Sequence, residues 1–314
     1  MKNLRIIFMG TPDFATETLR YLVENQLNIV AVVTTADKPA GRGQKLQECS
    51  VKKYAIEKNI PILQPTNLKN EDFLKELKNY NADLQIVVAF RMLPKVVWAM
   101  PNKGTFNLHA SLLPDYRGAA PINWAIINGE TETGVTTFFL DEKIDTGAMI
   151  LQSKTAISPN ETAETLHDKL MKQGAELVFN TIKLISEDKV QTTIQPTQSL
   201  KEAPKIHKET CLINWQKPIS ELDNFIRGLS PYPTAWTNLS HNSETLSVKI
   251  FSETPLLENH SYKIGQIIIE NKTIKVAVSG GFIQINELQL PSKKRMTAKE
   301  LLNGFTFNSD DFFF

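Results

Sequence analysis

The order in which strand-like and helix-like patterns follow one another limits the fold of this chain most. In the first half, short apolar and β-branched runs, among them RIIFMG, NIVAVVTT and LQIVVAF, alternate with segments of helical period. In one such segment Phe73, Leu74 and Leu77 share a face, and Asn70 precedes them as a predicted N-cap. The strands FNLHA and GVTTFFL continue the series up to one long helical segment. This alternation predicts an α/β domain with a mostly parallel, Rossmann-like sheet at residues 1–188.

The pattern changes after that long helix. Residues 189–209 are polar, contain prolines and show little periodicity, so we predict a linker there. From residue 210 to residue 314, short alternating strands follow one another between turns such as Asn-Lys and Gly-Gly. This spacing predicts a small OB-like β-barrel as a second domain, and a length of 314 residues suits two domains.

Composition argues against several classes of protein. No run approaches the ~20 apolar residues of a membrane helix, and LRIIFM is too short for a signal peptide, so we expect a soluble, cytoplasmic protein without a membrane partner. The two cysteines, Cys49 and Cys211, indicate neither a disulfide framework nor a zinc cluster, and we expect no metal. Because the net charge is only +1, a polyanion would have to bind to a local basic patch.

The first strand-to-helix turn lacks the fingerprint of a nucleotide-binding loop. Gly10 ends the strand RIIFMG, but the next glycine in the chain is Gly41. Neither G-x-G-x-x-G nor G-x-x-x-x-G-K-S/T is therefore present to bring the backbone close to a phosphate. We favour a structural turn here over a nicotinamide or ATP site.

Polar residues with catalytic potential follow in FNLHASLLPDYRGAAPIN, residues 106–123. Because alternate residues of a strand share a face, Asn107 and His109 are presented side by side, about 6.6 Å apart along the chain. The loop DEKIDTGAM leaves another strand and offers Asp145 as a partner for His109. A carboxylate stabilises a protonated imidazole, and an amide can donate to a developing oxyanion. These groups suit acyl transfer without a covalent enzyme intermediate.

The same residues also fit ordinary structural roles. A single histidine in an apolar strand can be a hydrogen-bonded core residue, and Asp-x-Gly is a common turn. No serine or cysteine lies in a nucleophile elbow, which argues against a triad hydrolase. Spacing alone therefore leaves both a catalytic and a structural role open for Asn107, His109 and Asp145.

Taken together, FNLHASLLPDYRGAAPIN and ETGVTTFFLDEKIDTG resemble the 10-formyltetrahydrofolate-dependent formyltransferases. That family uses an Asn, a His and an Asp in this order, so the resemblance assigns catalysis to Asn107, His109 and Asp145. TTADKPAGRGQKL, IRGLSPYPTAW and LQLPSKKRMTAKELL extend the likeness over essentially the whole chain, to the members that act on initiator tRNA. The implied reaction transfers the formyl group of 10-formyltetrahydrofolate, a co-substrate, to the α-amine of methionine on that tRNA, for translation initiation.

The resemblance also implies where the folate binds. The residues that would line its side of the cleft are Ser111, Leu112, Leu113 and Pro114, joined by the backbone near Leu93 and Pro94. The chain departs from the family where it has Phe90-Arg91-Met92, since many relatives carry a glycine and apolar residues before Leu-Pro. In the alternative interpretation this stretch is a helix start and Arg91 is solvated.

Two basic segments are candidates for binding RNA. Residues 38–58 contain six basic and two acidic residues, and Gly41 and Gly43 flank Arg42. A guanidinium on such a loop can pair with phosphates or base edges at the end of an RNA. The resemblance implies that this loop, with Lys38, Arg42 and Lys45, enters the acceptor stem. In the second domain the basic cluster Lys293, Lys294 and Arg295 is expected to contact tRNA phosphates. A solvated loop and a solubilising cluster are the alternatives.

Three further functions compete with formylation of initiator tRNA. A 10-formyltetrahydrofolate hydrolase would lack a large RNA-binding surface, and a sugar-amine formyltransferase would need a sugar-nucleotide pocket where this chain has PAGRGQKL. A folate-binding or RNA-binding protein without chemistry would have no use for Asn107, His109 and Asp145. We expect a monomer.

Overall fold

The computed structural model describes residues 1, 3–40, 45–196 and 201–314 of the chain, which form two compact units. The first unit consists of Met1–Gly118, Glu132–Ala156 and His167–Glu202. The second consists of Ala119–Thr131, Ile157–Leu166 and Ala203–Phe314. The domain bounds predicted from the sequence, 1–188 and 210–314, stay a prediction. In the structure, the second unit also includes two earlier segments, residues 119–131 and residues 157–166.

The regular elements are numbered in chain order. The strands are β1 (Ile6–Gly10), β2 (Ile29–Val33), β3 (Lys38–Ala40), β4 (Lys45–Gln47), β5 (Ile62–Leu63), β6 (Leu84–Val88), β7 (Thr105–His109), β8 (Arg117–Gly118), β9 (Glu132–Phe139), β10 (Met149–Ala156), β11 (Glu202–Ala203), β12 (Ala235–His241), β13 (Glu244–Leu257), β14 (Ile267–Glu270), β15 (Thr273–Val278), β16 (Gly281–Gln289), β17 (Met296–Thr297) and β18 (Phe312–Phe313). The helices are α1 (Asp13–Glu24), α2 (Ser50–Glu57), α3 (Glu71–Asn79), α4 (Lys95–Trp98), α5 (Pro121–Ile127), α6 (Ala163–Ser186), α7 (Ile219–Leu229) and α8 (Ala298–Leu301), with a 3-10 turn at Glu209–Cys211.

The first unit is built on a seven-stranded sheet in the order β10-β9-β7-β6-β1-β2-β5. The five strands β5, β2, β1, β6 and β7 are parallel, and β9 and β10 add antiparallel strands at one edge. Every residue of β1 and β6 is buried, as expected for central strands of a sheet that is covered on both faces. The predicted α/β class with a mostly parallel sheet is confirmed.

The chain reverses its direction of growth across the sheet between β1 and β6. It first adds β2 and β5 on one side of β1 and then crosses to add β6 and β7 on the other. Gly10 at the end of β1 pairs with Val88 at the end of β6. A Cβ at Gly10 would lie 2.5 Å from the Cβ of Ala15 and 2.9 Å from the carbonyl oxygen of Val88. Ligands of open α/β sheets bind beyond the carboxyl ends of strands at such a reversal.

The helices of the first unit follow the sequence pattern closely. α3 begins where predicted, because the Asn70 side chain accepts a hydrogen bond of 2.9 Å from the Phe73 amide. α6 buries Leu170, Val178 and Ile182 on one face. Within the described part of the chain, no helix has both the length and the apolar character that crossing a membrane requires.

The second unit contains an antiparallel sheet in the order β14-β15-β16-β13-β12-β18, and β17 also pairs with β16. The sheet curls until its ends meet, since Gln266, just before β14, forms a bridge with Phe312 of β18. Phe313 then donates a hydrogen bond of 2.9 Å to the carbonyl of Gly265. This arrangement confirms the predicted OB-like barrel. Its core is apolar, with Val248, Ile283 and neighbouring side chains fully buried.

One carboxyl group in the second unit is held in an unfavourable place. Glu253 follows an irregularity in the pairing of β13 with β16, and its Oε1 atom is buried without a hydrogen-bond partner among the described residues. Desolvation and the nearby carboxylate of Asp223 raise the pKa of Glu253 from 4.5 to about 8, while Arg227 lowers it by less. The folded protein therefore holds a proton here that the unfolded chain releases near pH 4.5.

We expect the stability of the protein to fall as the pH rises from about 5 through 8, because the folded state binds more protons than the unfolded state over this range. Glu253→Gln removes this dependence. Its melting temperature should be similar to that of the parent near pH 5 and a few degrees higher near pH 9. Thermal melting monitored by circular dichroism tests this, with Glu258→Gln, an exposed carboxyl just after β13, as the control. If the melting temperature of Glu253→Gln and that of the parent change with pH in the same way, the raised pKa of Glu253 is contradicted.

Candidate functional site

Strand β7 presents Asn107 and His109 on one face of the sheet, near its carboxyl end. Leu108 points to the other face, where it packs against α6 so closely that a Cβ at Gly174 would lie 2.7 Å from Leu108 Cδ2. Because side chains alternate along a strand, Asn107 and His109 both point away from α6. In the antiparallel register with β9, Thr136 lies opposite His109.

A backbone carbonyl fixes the orientation of the His109 ring. His109 is 6% exposed, and its Nε2 atom lies 2.8 Å from the carbonyl oxygen of Tyr116. A carbonyl can only accept a hydrogen bond, so we assign the hydrogen to Nε2, which donates. Nδ1 is then the nitrogen that can gain or lose a proton. It faces Oδ2 of Asp145 at 3.8 Å, so the structure brings the two predicted residues together.

Asp145 lies in a tightly constrained loop between β9 and β10. Its φ of 54° is in the left-handed region, which L-residues adopt rarely and aspartate more readily than most. The backbone amide of Gly118 donates a hydrogen bond of 3.0 Å to Asp145 Oδ2. At Gly147 a Cβ would lie 1.7 Å from a carbonyl oxygen of β9, so the loop has no room for a side chain there. The Asp145 carboxylate is thereby directed at His109.

Asn107 differs from its two partners in having an unused amide. Its side chain is half-buried, and it forms no hydrogen bond with any residue that the structure describes. A half-buried amide donor beside His109 and Asp145 fits the oxygen of a small carbonyl group.

The segment after β7 is tied down by two polar residues that the sequence did not identify. The hydroxyl of Thr136 donates to the carbonyl of Ser111 at 2.6 Å and accepts from the amide of Leu113 at 3.2 Å. Gln152 donates to the carbonyl of Leu113 at 2.9 Å and to the Thr136 hydroxyl at 3.0 Å. Both lie on β9 and β10 among alternating residues, where a threonine or glutamine gives no signal distinct from that of an ordinary strand.

The six residues predicted to contact folate divide into two groups. Ser111, Leu113 and Leu93 are buried, and the Ser111 hydroxyl is already bonded to the carbonyl of Asp115 at 2.7 Å. The remaining three are partly exposed, and they are Leu112, Pro114 and Pro94. The folate contacts themselves stay a prediction. For Ser111 the structure leaves no free hydroxyl hydrogen to donate to a ligand.

The departure at Phe90-Arg91-Met92 has a structural basis. Arg91 is not simply solvated, because its guanidinium donates to the carbonyl of Thr66 at 2.9 Å and to that of Pro65. It joins the segment that follows β6 to the segment that follows β5. Met92 is 68% exposed.

The basic loop between β3 and β4 is described only in part. Lys38 lies on β3 and is exposed, whereas Arg42 and the side chain of Lys45 lie outside the described residues. Lys52, in the same basic window, is neutralised by Asp37 at 2.5 Å and Glu48 at 3.1 Å. The hydrogen bond with Asp37 raises the pKa of Lys52 and lowers the pKa of Asp37. Lys52 therefore stabilises the base of the loop and adds little free charge to the patch.

The three residues of the second basic cluster, Lys293, Lys294 and Arg295, differ in their contacts. Lys293 and Lys294 are exposed at a turn after β16. Arg295 instead donates from Nε to Glu287 at 2.9 Å, and its guanidinium carbon lies 4.6 Å from the centre of the Phe251 ring. Arg295 is thus already engaged within the barrel, through contacts with β16 and β13 that the local sequence does not reveal.

Two further residues near Asp145, Gln195 and Arg117, were missed from the sequence. Gln195 is 6% exposed and lies within the segment predicted as a linker. Its side chain contacts the backbone of the Asp145 loop and the guanidinium of Arg117. A single buried glutamine in a polar, aperiodic stretch leaves no pattern, and only its position in the folded chain shows it.

Comparison with known proteins identifies the class to which this fold and site belong. Residues 3–182 match the family described as "Formyl transferase", and residues 205–306 match its C-terminal domain. The chain belongs to this family and is a formyltransferase. It is similar to the methionyl-tRNA formyltransferases of Flavobacterium johnsoniae (60% identity, 99% of both chains) and Bacteroides thetaiotaomicron (54% identity, 97% of this chain and 96% of that one).

Solved structures share the fold at lower identity. WlaRD, a sugar 3N-formyl transferase crystallised in the presence of dTDP and 5-N-formyl-THF, matches 93% of this chain and 99% of its own, with a TM-score of 0.62 and 22% identity. HypX from Aquifex aeolicus, in complex with tetrahydrofolic acid, matches 96% of this chain and 47% of its own, with a TM-score of 0.65 and 16% identity. The likeness at these identities concerns the fold alone.

We expect Arg295 to stabilise the barrel, in contrast to its two neighbours in the sequence. Arg295→Ala removes the ion pair with Glu287, worth about 0.2–1 kcal/mol at an exposed site, and the contact with Phe251, worth about 0.5–1 kcal/mol. The melting temperature should fall by a few degrees, whereas the matched variant Lys294→Ala should leave it nearly unchanged. Equal melting temperatures for the two variants would show that Arg295 has no structural role.

Proposed function

We propose that this protein transfers the formyl group of 10-formyltetrahydrofolate to the α-amine of methionine on initiator tRNA. The observation that carries the proposal is the arrangement at the end of β7. There the unused Asn107 amide lies on the same face as His109, and His109 Nδ1 faces Asp145. Relatives of 54–60% identity over nearly the whole chain are methionyl-tRNA formyltransferases, which supports tRNA as the acceptor.

When the amine attacks the formyl carbon, the formyl oxygen becomes negatively charged. The reaction therefore needs hydrogen-bond donors that stabilise this oxygen. The Asn107 side chain makes no hydrogen bond within the described part of the chain, so its amide hydrogens can donate to this oxygen. A hydrogen on His109 Nδ1 provides the second donor, since Nε2 is occupied by the Tyr116 carbonyl. Donors held in place before the reaction stabilise such a charge strongly, because they need no reorganisation.

Asp145 acts on His109 and on the proton that the amine must lose. Its Oδ2 atom faces Nδ1 at 3.8 Å and so stabilises the imidazole when that nitrogen is protonated. The attacking nitrogen loses a proton, and the leaving folate nitrogen gains one. Asp145 is the nearby carboxylate that can move this proton, through a water molecule where the direct distance is too long.

The folate fits the carboxyl end of the sheet. Thr136 and Gln152 hold residues 111–113 beside β7, and Leu112, Pro114 and Pro94 are partly exposed there. These side chains offer an apolar surface to the flat rings of the co-substrate. The other three residues of the predicted set, Ser111, Leu113 and Leu93, are buried.

The two domains divide the work in this proposal. Residues 1–188 carry catalysis, and residues 210–314 bind tRNA through Lys293 and Lys294, together with the loop that contains Lys38, Arg42 and Lys45. Because Arg295 is engaged with Glu287, it contributes less to tRNA binding than its two neighbours. The enzyme works as a monomer in the cytoplasm, where translation takes place, and the proposed chemistry needs no metal.

The deciding experiment measures formyl transfer from 10-formyltetrahydrofolate to three acceptors. These are methionyl initiator tRNA, methionyl elongator tRNA and a sugar-nucleotide amine. We expect formylation of the initiator alone. Formylation of the sugar alone would keep the catalytic residues but assign a small-molecule acceptor, and release of formate without any acceptor would indicate a hydrolase.

His109→Ala should suppress turnover by ~100- to 1,000-fold, the usual loss when one donor to a developing oxyanion is removed. Binding of tRNA, measured by filter retention, should stay close to that of the parent. His167→Ala changes a more exposed histidine on α6 and serves as the matched control with normal turnover. Near-normal turnover in His109→Ala would remove this residue from the mechanism.

Arg42→Ala should weaken productive binding of tRNA without changing the affinity for folate. If Arg42 contacts one phosphate, the slope of log Kd against log salt for tRNA should fall by about one unit. Lys58→Ala is the control in the same basic window, because Lys58 is paired with Glu57 at 2.9 Å. A tRNA-dependent rate that does not change in Arg42→Ala would exclude the loop assignment.

A further inference from the structure

Gln195 is an unusual residue for the segment that contains it. The stretch after α6 is polar, yet this side chain is 6% exposed. An antiparallel β-bridge fixes the position of this segment. The amide of Thr193 donates to the carbonyl of Met149 at 2.9 Å, and the amide of Met149 donates to the carbonyl of Thr193 at 2.8 Å. Met149 begins β10, so Gln195 lies directly beside the end of the Asp145 loop.

Both ends of the Gln195 amide are used. Nε2 donates to the carbonyl oxygens of Asp145 at 3.0 Å and Gly147 at 2.8 Å. Oε1 accepts from Arg117 through Nε at 3.1 Å and Nη2 at 2.7 Å. All four of these hydrogen bonds are shielded from water at the glutamine, and each has normal length.

The contacts close into a ring around Asp145. Arg117, bonded to Gln195, is followed by Gly118, whose amide donates to the carboxylate of Asp145 at 3.0 Å. Gln195 binds the backbone of the same aspartate. The side chain and the backbone of Asp145 are therefore both fixed by neighbouring groups, and this holds the residue in its left-handed conformation.

We propose that Gln195 is a positioning residue that keeps the Asp145 carboxylate facing His109 Nδ1 during formyl transfer. This inference rests on the proposed function. If the amide of Gln195 no longer binds the two carbonyls, the loop can relax from its left-handed conformation and Oδ2 moves away from Nδ1. A displacement of about 1 Å at a catalytic group can cost on the order of 100-fold in rate.

A purely structural role is the alternative, and two substitutions separate it from positioning. Gln195→Glu keeps an acceptor for Arg117 and adds an ion pair, but it directs a carboxylate oxygen at the carbonyls of Asp145 and Gly147. Gln195→Leu has a similar size and removes every hydrogen bond. We expect kcat to fall ~10- to 100-fold in both variants, with KM for folate and for tRNA within about 2-fold of the parent. In Gln195→Glu this loss should occur with the melting temperature maintained.

Gln173→Leu is the matched control. Gln173 also donates to groups of β10, the hydroxyl of Ser153 at 2.6 Å and the carbonyl of Lys154 at 3.0 Å, but neither of these bonds reaches the Asp145 loop. Its kcat should match that of the parent. If kcat falls in both Gln173→Leu and Gln195→Leu, and by the same amount for each degree lost in melting temperature, the positioning role is overturned.

A double-mutant cycle with Asp145→Asn tests whether Gln195 affects kcat through Asp145. If Gln195 acts through Asp145, then Gln195→Leu should lower the remaining kcat of Asp145→Asn by less than about 2-fold. A further loss of ~10-fold or more in that background would overturn the inference.

A failure of the proposed function is distinguishable from a failure of this inference, because the parent itself would then not formylate initiator tRNA. A parent that formylates and a Gln195→Glu variant with unchanged kcat would reject the role of Gln195 alone.

Discussion

The hydrogen-bonded register of strand β7 is the constraint on which the site depends. β7 pairs with parallel β6 on one side and antiparallel β9 on the other, and Leu108 is locked against α6. A slip of one residue would turn every side chain to the opposite face, which the buried apolar residues forbid. Asn107 and His109 therefore stay on the face that points away from α6. The same register places Thr136 of β9 opposite His109, where it holds the segment that follows β7.

Two of the proposed catalytic residues, His109 and Asp145, are held by polar contacts, some of which join residues far apart in the sequence. His109 depends on the Tyr116 carbonyl, and Asp145 depends on the Gly118 amide and on Gln195. Buried polar groups lose solvation, so each of them needs a partner to be stable. The hydrogen bonds that supply these partners also leave His109 Nε2 and Asp145 little freedom of orientation. Stability and catalytic alignment thus arise from the same hydrogen bonds, with the Asn107 amide left unused among the described residues.

The basic residues of the two basic segments fall into two groups, those in ion pairs and those that are exposed. The net charge of the chain is close to zero, so long-range attraction of RNA by the whole molecule is weak. Lys52 and Arg295 look like part of basic clusters in the sequence, yet they form ion pairs with Asp37 and Glu287. Lys38, Lys293 and Lys294 are exposed and able to meet phosphates. Counting charges along the chain therefore overstates the patch, because pairing occurs in three dimensions.

The sequence alone determined the class of fold, the cap of α3 at Asn70 and the side-by-side placement of Asn107 and His109. These follow from local rules, because alternation, helical period and capping act between residues close in the chain. The family resemblance added the catalytic role of Asp145 and the formyl-transfer reaction. Only the tertiary structure decided which nitrogen of His109 is free, that Gln195 is buried against the Asp145 loop, and that Arg91 and Arg295 bind within the protein. Each of these depends on a contact that folding creates between separate elements, and no local pattern records such a contact.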